Sequence, residues 1–259
     1  MEITLYQIDA FTNHVFGGNP AAVCPLDEWI DEGLMQKIAE ENNLSETAFF
    51  VKRNSCYEIR WFTPATEIEL AGHPTLAAAY VIFNYCNHDS STISFSSKSG
   101  HLSVEKNGDL LKMNFPVLKA SKAAPNDLLN RALGHEPVEL YLSRDYLAVY
   151  KSQKDILSID PDFGLLKRLD CLGVIVTAPG DEADFVSRCF APAVGINEDP
   201  VTGSAHSTLI PYWANRLKKD SLHAYQLSKR GGELFCGYLG SRVEIGGKAV
   251  PYLSGKIVI

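Results

Sequence analysis

The sequence predicts an α+β protein of two similar, duplicated lobes, each a mostly antiparallel sheet wrapped around a central helix. Three observations lead to this prediction. Short alternating segments typical of strands outnumber helical segments, a twelve-residue pattern recurs half a chain away, and each copy runs into a glycine turn and an apolar helical stretch. The chain has 259 residues, of which 46% are apolar and 21% are charged, so each lobe can bury a core of its own.

The repeated pattern spans Arg60–Ala71 in the first half and Arg188–Asp199 in the second. At a constant offset of 128, the matching pairs are Arg60/Arg188, Phe62/Phe190, Pro64/Pro192, Ala65/Ala193 and Ile68/Ile196. Each copy follows a predicted strand and precedes a helix. We therefore expect an N-terminal lobe of residues 1–118 and a C-terminal lobe of residues 119–259, and the final strand is a candidate to cross back into the first lobe.

Strand signals extend along both halves, separated by turn signals such as Asn107-Gly108 and Gly246-Gly247. The predicted strands are residues 2–11, 48–52, 57–63, 92–96, 101–106, 110–115, 139–142, 146–149, 173–178, 185–190, 225–229, 242–245 and 256–259. Helical periodicity predicts few long helices. These are residues 29–42, 74–85, 126–133, 162–169 and 206–217.

Composition excludes several classes of function. The net charge of −7 leaves no basic face for nucleic acid or for an anionic membrane. The N-terminus lacks a signal peptide, and no apolar stretch is long enough to span a bilayer, so we expect a cytoplasmic protein. Six scattered cysteines without a C-x-x-C spacing predict buried thiols and no metal site.

Glu46 follows the first long helix and precedes the apolar segment 48–51. A carboxylate at the mouth of a buried strand suits a general acid or base. The alternative is an ordinary polar loop with a solvated glutamate.

Both glycine turns carry further candidates. His73 follows Gly72 at a predicted helix start, where the helix dipole favours a neutral imidazole, although a capping or core histidine fits as well. Asp199 precedes Pro200, which holds it extended, although an Asx-type turn is the alternative. The sharp turn before Pro20, which includes Asn19, has a backbone that could line a pocket.

Two helix starts that face a shared cleft would bind a small anion through their unpaired amides. The alternative is that these turns only cap their helices, through Thr75, Thr202 or Ser204. The duplication favours a binding site for a small anionic organic substrate.

Four ordered blocks of the sequence resemble the PhzF (phenazine biosynthesis-like) family over essentially the whole chain. The blocks are Asp9–Val23 with Phe16-Gly-Gly-Asn-Pro, Ser45-Glu-Thr-Ala-Phe49, Phe62-Thr-Pro64 with Glu69-Leu-Ala-Gly-His-Pro-Thr75, and Phe190-Ala-Pro192 with Glu198-Asp-Pro-Val-Thr-Gly-Ser-Ala-His206. The resemblance implies the diaminopimelate-epimerase-like fold and a homodimer.

It also implies a cofactor-independent isomerase, similar to trans-2,3-dihydro-3-hydroxyanthranilate isomerase, that moves a proton between carbons of a cyclic substrate. In that scheme Glu46 transfers the proton, while His73, Asp199 and Ser204 line the pocket. The amides of Gly72–Thr75 and Gly203–Ser204 hold the substrate's carboxylate.

Two alternatives remain. One is a non-catalytic member of the family that binds a small molecule or another protein. The other is a cysteine-dependent racemase or epimerase, which needs one cysteine immediately before each glycine turn. Ala71 and Asp199 are expected at those two positions, which makes this alternative the weaker one.

Overall fold

The computed structural model describes every residue from Met1 to Ile259, and the chain divides into two compact units. Unit 1 comprises Met1–Asn114 and Gly246–Ile259, and unit 2 comprises Phe115–Ile245. Unit 2 thus begins at Phe115 rather than at the predicted residue 119. The C-terminal segment, predicted as part of the second lobe with its last strand a candidate to cross over, lies in unit 1.

The helices and strands follow in chain order. The first part of unit 1 contains β1 (Glu2–Ala10), β2 (Asn19–Leu26), α1 (Glu32–Asn42), β3 (Glu46–Arg53), β4 (Cys56–Phe62), β5 (Glu67–Ile68), α2 (Gly72–Tyr85), β6 (Thr92–Ser97) and β7 (Gly100–Asn107), and β8 (Leu110–Pro116) follows at the boundary. Unit 2 then contains β9 (Ser121–Lys122), α3 (Asp127–Leu133), β10 (Glu139–Leu142), β11 (Tyr146–Val149), α4 (Gln153–Ser158), α5 (Phe163–Leu166), β12 (Val174–Pro179), β13 (Phe185–Ala191), a 3₁₀ turn (Pro192–Val194), β14 (Ile196–Asp199), α6 (Gly203–Leu217), β15 (Ser221–Gln226) and β16 (Gly232–Tyr238), and β17 (Arg242–Gly247) ends at the boundary. The last strand, β18 (Ala249–Val258), returns to unit 1.

The strands of unit 1 are mostly antiparallel, as predicted. β1 pairs with β2 and with β18 in antiparallel fashion, and β3 does so with β4. β2 runs parallel to β3, and β4 runs parallel to β6. In the chain, α1 lies between the parallel strands β2 and β3, and α2 lies between the parallel strands β4 and β6. Each helix is part of the crossover segment that a parallel connection needs.

The central helix of unit 1 is α2. It contains no charged residue, and ten of its fourteen residues are buried, so apolar side chains face their neighbours on nearly every side. It packs against β1, β2 and β3. A helix that is apolar all round is stable only inside a core, which explains why the sheet wraps around it.

The helix α1 covers the other face of these strands. Its buried residues Met35, Ile38 and Ala39 lie on one side of the helix. The helix begins at Glu32 rather than at the predicted residue 29, since the Asp31 side chain accepts a hydrogen bond from the Leu34 amide and caps it there.

Unit 2 repeats the pairing pattern of unit 1, which supports the predicted duplication. β12 pairs with β13 in antiparallel fashion, as β3 pairs with β4. β13 then pairs antiparallel with β14 and parallel with β15, as β4 pairs with β5 and with β6. The helix α6 takes the place of α2 in this order and buries Trp213, which stacks on Phe185 with ring centroids 5.6 Å apart.

The constant offset of 128 holds only for the first part of the repeat. Gly72 lies ten residues after Phe62, whereas Gly203 lies thirteen residues after Phe190, because unit 2 contains the extra 3₁₀ turn. Ile68 lies opposite Trp61, and Asp199 lies opposite Cys189. Ile68 therefore corresponds to Asp199, and the sequence match between Ile68 and Ile196 is coincidental.

The matched arginines make the same contacts in both units. Arg60 donates to Glu67 and Arg188 donates to Glu198, each through Nε at 2.7 Å. Each guanidinium also lies over the phenylalanine two residues later, at 5.2 Å from the ring centroid in unit 1 and 5.0 Å in unit 2. A carboxylate on the next strand and an aromatic face thus fix both arginines by the same two interactions.

None of the helices combines the length and the hydropathy that crossing a bilayer requires.

Candidate active site

Glu46 is the first residue of β3, and only 8% of its surface is exposed. It lies beside Ala21 of the parallel strand β2. The interpretation of a solvated glutamate in a polar loop is therefore wrong. Its Oε2 atom is buried and accepts no well-directed hydrogen bond from the protein. A buried carboxylate oxygen that accepts no hydrogen bond lowers the stability of the folded protein, and such a cost is typical of a group retained for chemistry.

His73 lies against this carboxylate. It is the second residue of α2, it is buried, and its Nε2 atom is 3.0 Å from Glu46 Oε2. The ring N–H does not point straight at the oxygen, so the pair is a close electrostatic contact rather than an ideal hydrogen bond. The structure thus brings together two of the predicted site residues that lie far apart in the sequence.

Asn19 lies on the other side of the imidazole. Its amide Nδ2 is 3.2 Å from His73 Nδ1, and none of its surface is exposed. The sequence predicted a contact with substrate at this turn. The structure shows the Asn19 side chain bound to the histidine, and the contact with substrate stays a prediction.

The start of α2 has no side-chain cap, because its N-cap residue is Ala71. Thr75 does not supply one either, since it is fully buried and its hydroxyl donates to the Ala71 carbonyl at 2.5 Å. The helix-cap interpretation is therefore wrong for Thr75. The first turn of the helix, which includes Gly72, keeps the donor character that an anion needs.

Asp199 belongs to a second group of polar residues, in unit 2. It ends β14 in the predicted extended conformation, and its Oδ2 atom accepts a hydrogen bond from the Thr202 hydroxyl at 2.6 Å. The buried Gln226 holds both residues: its Nε2 donates to the Asp199 carbonyl at 2.8 Å, and its Oε1 accepts from the Thr202 amide at 2.8 Å.

Gly203 and Ser204 are the first two residues of α6. The N-cap residue Thr202 makes no side-chain cap bond, because its hydroxyl is turned to Asp199. Ser204 Oγ instead accepts a hydrogen bond from Arg144 at 3.3 Å. The same guanidinium donates to the Asp145 carboxylate at 2.8 Å, so its charge is partly compensated. The uncapped helix start is therefore the feature of this group that favours an anion most directly.

The residue directly before α6 is Thr202, which corrects one sequence-based expectation. Asp199 was expected at the position that a cysteine occupies in two-thiol racemases, but it lies three residues earlier and pairs across the sheet with Cys189. The two positions before the helices hold Ala71 and Thr202.

Three of the six cysteines, Cys24, Cys189 and Cys236, are buried, and their environment makes these thiols unreactive. Burial raises the pKa of Cys24 to about 12, and burial with the nearby Asp199 raises the pKa of Cys189 further. Burial also raises the pKa of Cys236. Such groups stay protonated near neutral pH and are poor nucleophiles or bases.

Sequence reasoning missed Gln226 and Arg144. Gln226 lies in an ordinary strand, and Arg144 lies between two strands without a motif. The sequence pattern does not distinguish a buried polar side chain such as Gln226 from an exposed one in a strand, and it does not show that Arg144 lies near Ser204. Only the fold reveals these two residues.

Comparisons with known proteins agree on one family. The sequence profile described as "Phenazine biosynthesis-like protein" matches residues 8–255. A Pseudomonas aeruginosa protein named as an uncharacterized isomerase is 51% identical over 257 residues, which cover 99% of each chain. The crystal structure of a phenazine biosynthesis protein of the PhzF family from Enterococcus faecalis is 49% identical, covers 100% of each chain and superposes with a TM-score of 0.98.

A more distant structure shows the breadth of the fold. A hydroxyproline epimerase from Agrobacterium vitis is 10% identical, with a TM-score of 0.66 over 99% of this chain and 92% of that chain. At this identity the likeness concerns the fold alone. It confirms the predicted diaminopimelate-epimerase-like fold.

Proposed function

The chain belongs to the phenazine biosynthesis-like (PhzC-PhzF) family, and from that premise we propose that it is an isomerase that moves a proton between two carbons of a small substrate. The observation that carries the proposal is the buried pair of Glu46 and His73, with 3.0 Å between the carboxylate and the imidazole. The substrate carries a carboxylate and is cyclic, similar to trans-2,3-dihydro-3-hydroxyanthranilate.

Glu46 is the acid and base of the reaction. Its carboxylate takes a proton from one carbon, the electron pair of that C–H bond shifts into the conjugated system, and the protonated glutamic acid returns the proton to a second carbon. The proton removed from the first carbon is the one returned to the second, so the isomerisation consumes no other reagent. A buried oxygen without a competing hydrogen bond is suited to this role, because it need not first lose a partner.

His73 stabilises the carboxylate between the two transfers. Its Nε2 atom faces Glu46, so the ring offers a donor to the ionised form and a contact that is easily lost when Glu46 is protonated.

Each unit by itself presents donors at a helix start that suit a carboxylate of the substrate. Gly72 opens α2, and Gly203 and Ser204 open α6, with neither helix capped by its N-cap side chain. Arg144 adds a further donor next to Ser204, although its positive charge is already paired with the Asp145 carboxylate at 2.8 Å. In unit 2, Asp199 is held by Thr202 and Gln226 and is a polar group suited to an amino or hydroxyl substituent.

The structure gives no support to a cysteine-dependent racemase. Ala71 and Thr202 occupy the positions before the two helices, and the buried thiols of Cys24 and Cys189 have raised pKa values. The positions before the helices thus hold no thiol, and Cys24 and Cys189 are not expected to form thiolates near neutral pH.

The first test is proton NMR of deuterium uptake from D₂O into a panel of cyclic and acyclic amino and hydroxy acids. Wild type and Glu46→Gln are compared, with the exposed Glu105→Gln as a matched control. We expect uptake at a substrate carbon in the wild type and in Glu105→Gln, and a loss of more than about a hundredfold in Glu46→Gln.

Equal uptake in wild type and Glu46→Gln would remove Glu46 from the mechanism. Binding of a panel compound with no uptake at any carbon would favour the non-catalytic alternative.

A further inference from the structure

The position of Asn19 results from a turn that only glycine can form. Gly18 has a φ of +60°, and a Cβ at this residue would lie 2.1 Å from the Ala10 carbonyl oxygen. The buried Asp9 accepts a hydrogen bond from the amide of Phe16 at the start of this turn. The chain can therefore reverse within a few residues and begin β2 at Asn19, directly opposite Ala10.

The Asn19 side chain is thereby fixed next to the imidazole ring of His73. Backbone pairing to β1 holds its Cα position, and its side chain is completely buried. Its Nδ2 atom reaches the imidazole Nδ1 at 3.2 Å. A buried amide held in this way has little freedom to change its partner.

The chemistry of this contact determines the state of the imidazole. An amide nitrogen can only donate, so His73 Nδ1 must be the acceptor and carry no proton. The proton of a neutral ring then lies on Nε2, the atom that faces the Glu46 carboxylate. An ionised carboxylate only accepts, so both neighbours of the ring select the same tautomer.

We propose that Asn19 is a positioning residue that keeps His73 in its neutral, Nε2-protonated form and directs that N–H side towards Glu46. This inference rests on the proposed function, in which Glu46 transfers the proton. Without the Asn19 amide, the two neutral tautomers compete, and Nε2 offers no N–H to Glu46 whenever the proton lies on Nδ1.

The direct test is ¹⁵N NMR of the histidine rings in the uniformly labelled full-length protein near neutral pH, with the His73 signals assigned by their loss in His73→Gln. We expect a protonated Nε2 and an unprotonated Nδ1 in the wild type. A protonated Nδ1 in the wild type would overturn the proposal, and the tautomer itself is read from the wild-type protein.

Two substitutions test the cause. In Asn19→Asp the new carboxylate can only accept, so we expect Nδ1 to become protonated. In Asn19→Ala we expect a mixture of the two tautomers. The matched control is Asn84→Asp, an exposed asparagine on α2, which should leave the His73 spectrum unchanged. A wild-type tautomer pattern in a folded Asn19→Asp or Asn19→Ala protein would overturn the proposal.

The deuterium-uptake assay then measures the consequence. We expect Asn19→Ala to lower the rate of uptake about tenfold to a hundredfold, mainly in kcat, because substrate donors remain in place. Unchanged uptake in Asn19→Ala would contradict the positioning role. A failure of the proposed function appears differently, as full activity in Glu46→Gln, and does not alter the NMR result.

Discussion

At the residue scale, the site depends on polar side chains whose partners are specified in the interior. Glu46, His73 and Asn19 form one buried series of contacts in unit 1. Asp199, Thr202 and Gln226 form a second in unit 2. In each group one buried side chain orients a residue that is proposed to contact the substrate: Asn19 orients His73, and Gln226 orients Asp199. Buried polar groups need such partners, so each group is rigid as well as reactive.

His206 is a further buried polar residue, and it makes the stability of the protein depend on pH. Its ring lies in the interior next to Phe185, and Nδ1 donates to the Thr202 carbonyl at 2.9 Å. Burial lowers the pKa of His206 to about 4. The unfolded chain binds a proton at about pH 6.5, so between these values it binds more protons than the folded protein.

The stability of the folded state therefore falls as the pH drops from 6.5 towards 4, by about 3 kcal/mol from this residue alone. We expect His206→Asn, which keeps a donor near the Thr202 carbonyl but cannot titrate, to lose this part of the pH dependence. Urea unfolding at pH 7 and pH 4.5 measures it, with the exposed His101→Asn as control. An identical acid-side slope in wild type and His206→Asn would contradict the prediction.

At the element scale, the turn between β1 and β2 and the starts of α2 and α6 place the site residues. The helix starts follow the glycine turns that the sequence indicated, although both helices begin earlier than their predicted residues 74 and 206. β2 itself escaped prediction, because Pro20 and Pro25 interrupt its strand pattern. The strand predicted at 225–229 is observed at Ser221–Gln226. The prediction was displaced because the alternation of apolar and polar residues continues beyond Gln226 into a turn.

Gly18 tests the importance of the first turn. Gly18 and Gly108 have the same φ of +60°, but a Cβ at Gly108 meets nothing within 4 Å, whereas one at Gly18 collides with backbone. We expect Gly108→Ala to cost about 1 kcal/mol, the price of the backbone conformation alone, and Gly18→Ala to cost at least about 3 kcal/mol.

Chemical denaturation of the two variants measures the difference. If the costs are equal, the close approach to Ala10 is not what requires glycine. If Gly18→Ala folds with native stability, the turn does not constrain Asn19 as we infer.

At the scale of the whole molecule, the chain begins and ends in the same unit. β1 pairs with β18 from Glu2↔Val258 to Ala10↔Ala249, and the chain termini bond to each other through Met1 and Ile259. Unit 1 is therefore complete only after the last strand has been made. The duplication of the pairing pattern covers both units, and this closing strand is an addition to it.

A chain that ends at Lys248 lacks the β18 partner of β1. We expect it to lose the hydrogen-exchange protection of the β1 amides and to melt more than about 10 °C lower than the full chain. A chain that lacks only the half-exposed Ile259 should melt within about 2 °C of it. Retained protection of β1 in the shorter chain would show that β18 is dispensable for this unit.

Sequence patterns alone predict the fold class, the duplicated pattern and the candidates Glu46, His73 and Asp199. Each of these depends on local information: periodicity, glycine and proline positions, and short motifs. The sequence repeat also identified Arg60 and Arg188 as equivalent, and the structure shows that both donate to a glutamate on the next strand.

Only the tertiary structure decided the contacts among these residues. It places Glu46 against His73, assigns Asn19 to the imidazole, brings Arg144 to Ser204 and shifts the register of the repeat by its 3₁₀ turn. These residues are distant in the sequence, and their pairing follows from how strands and helices pack. A hydrogen bond between such groups depends on ångström-scale distances, which no local pattern encodes.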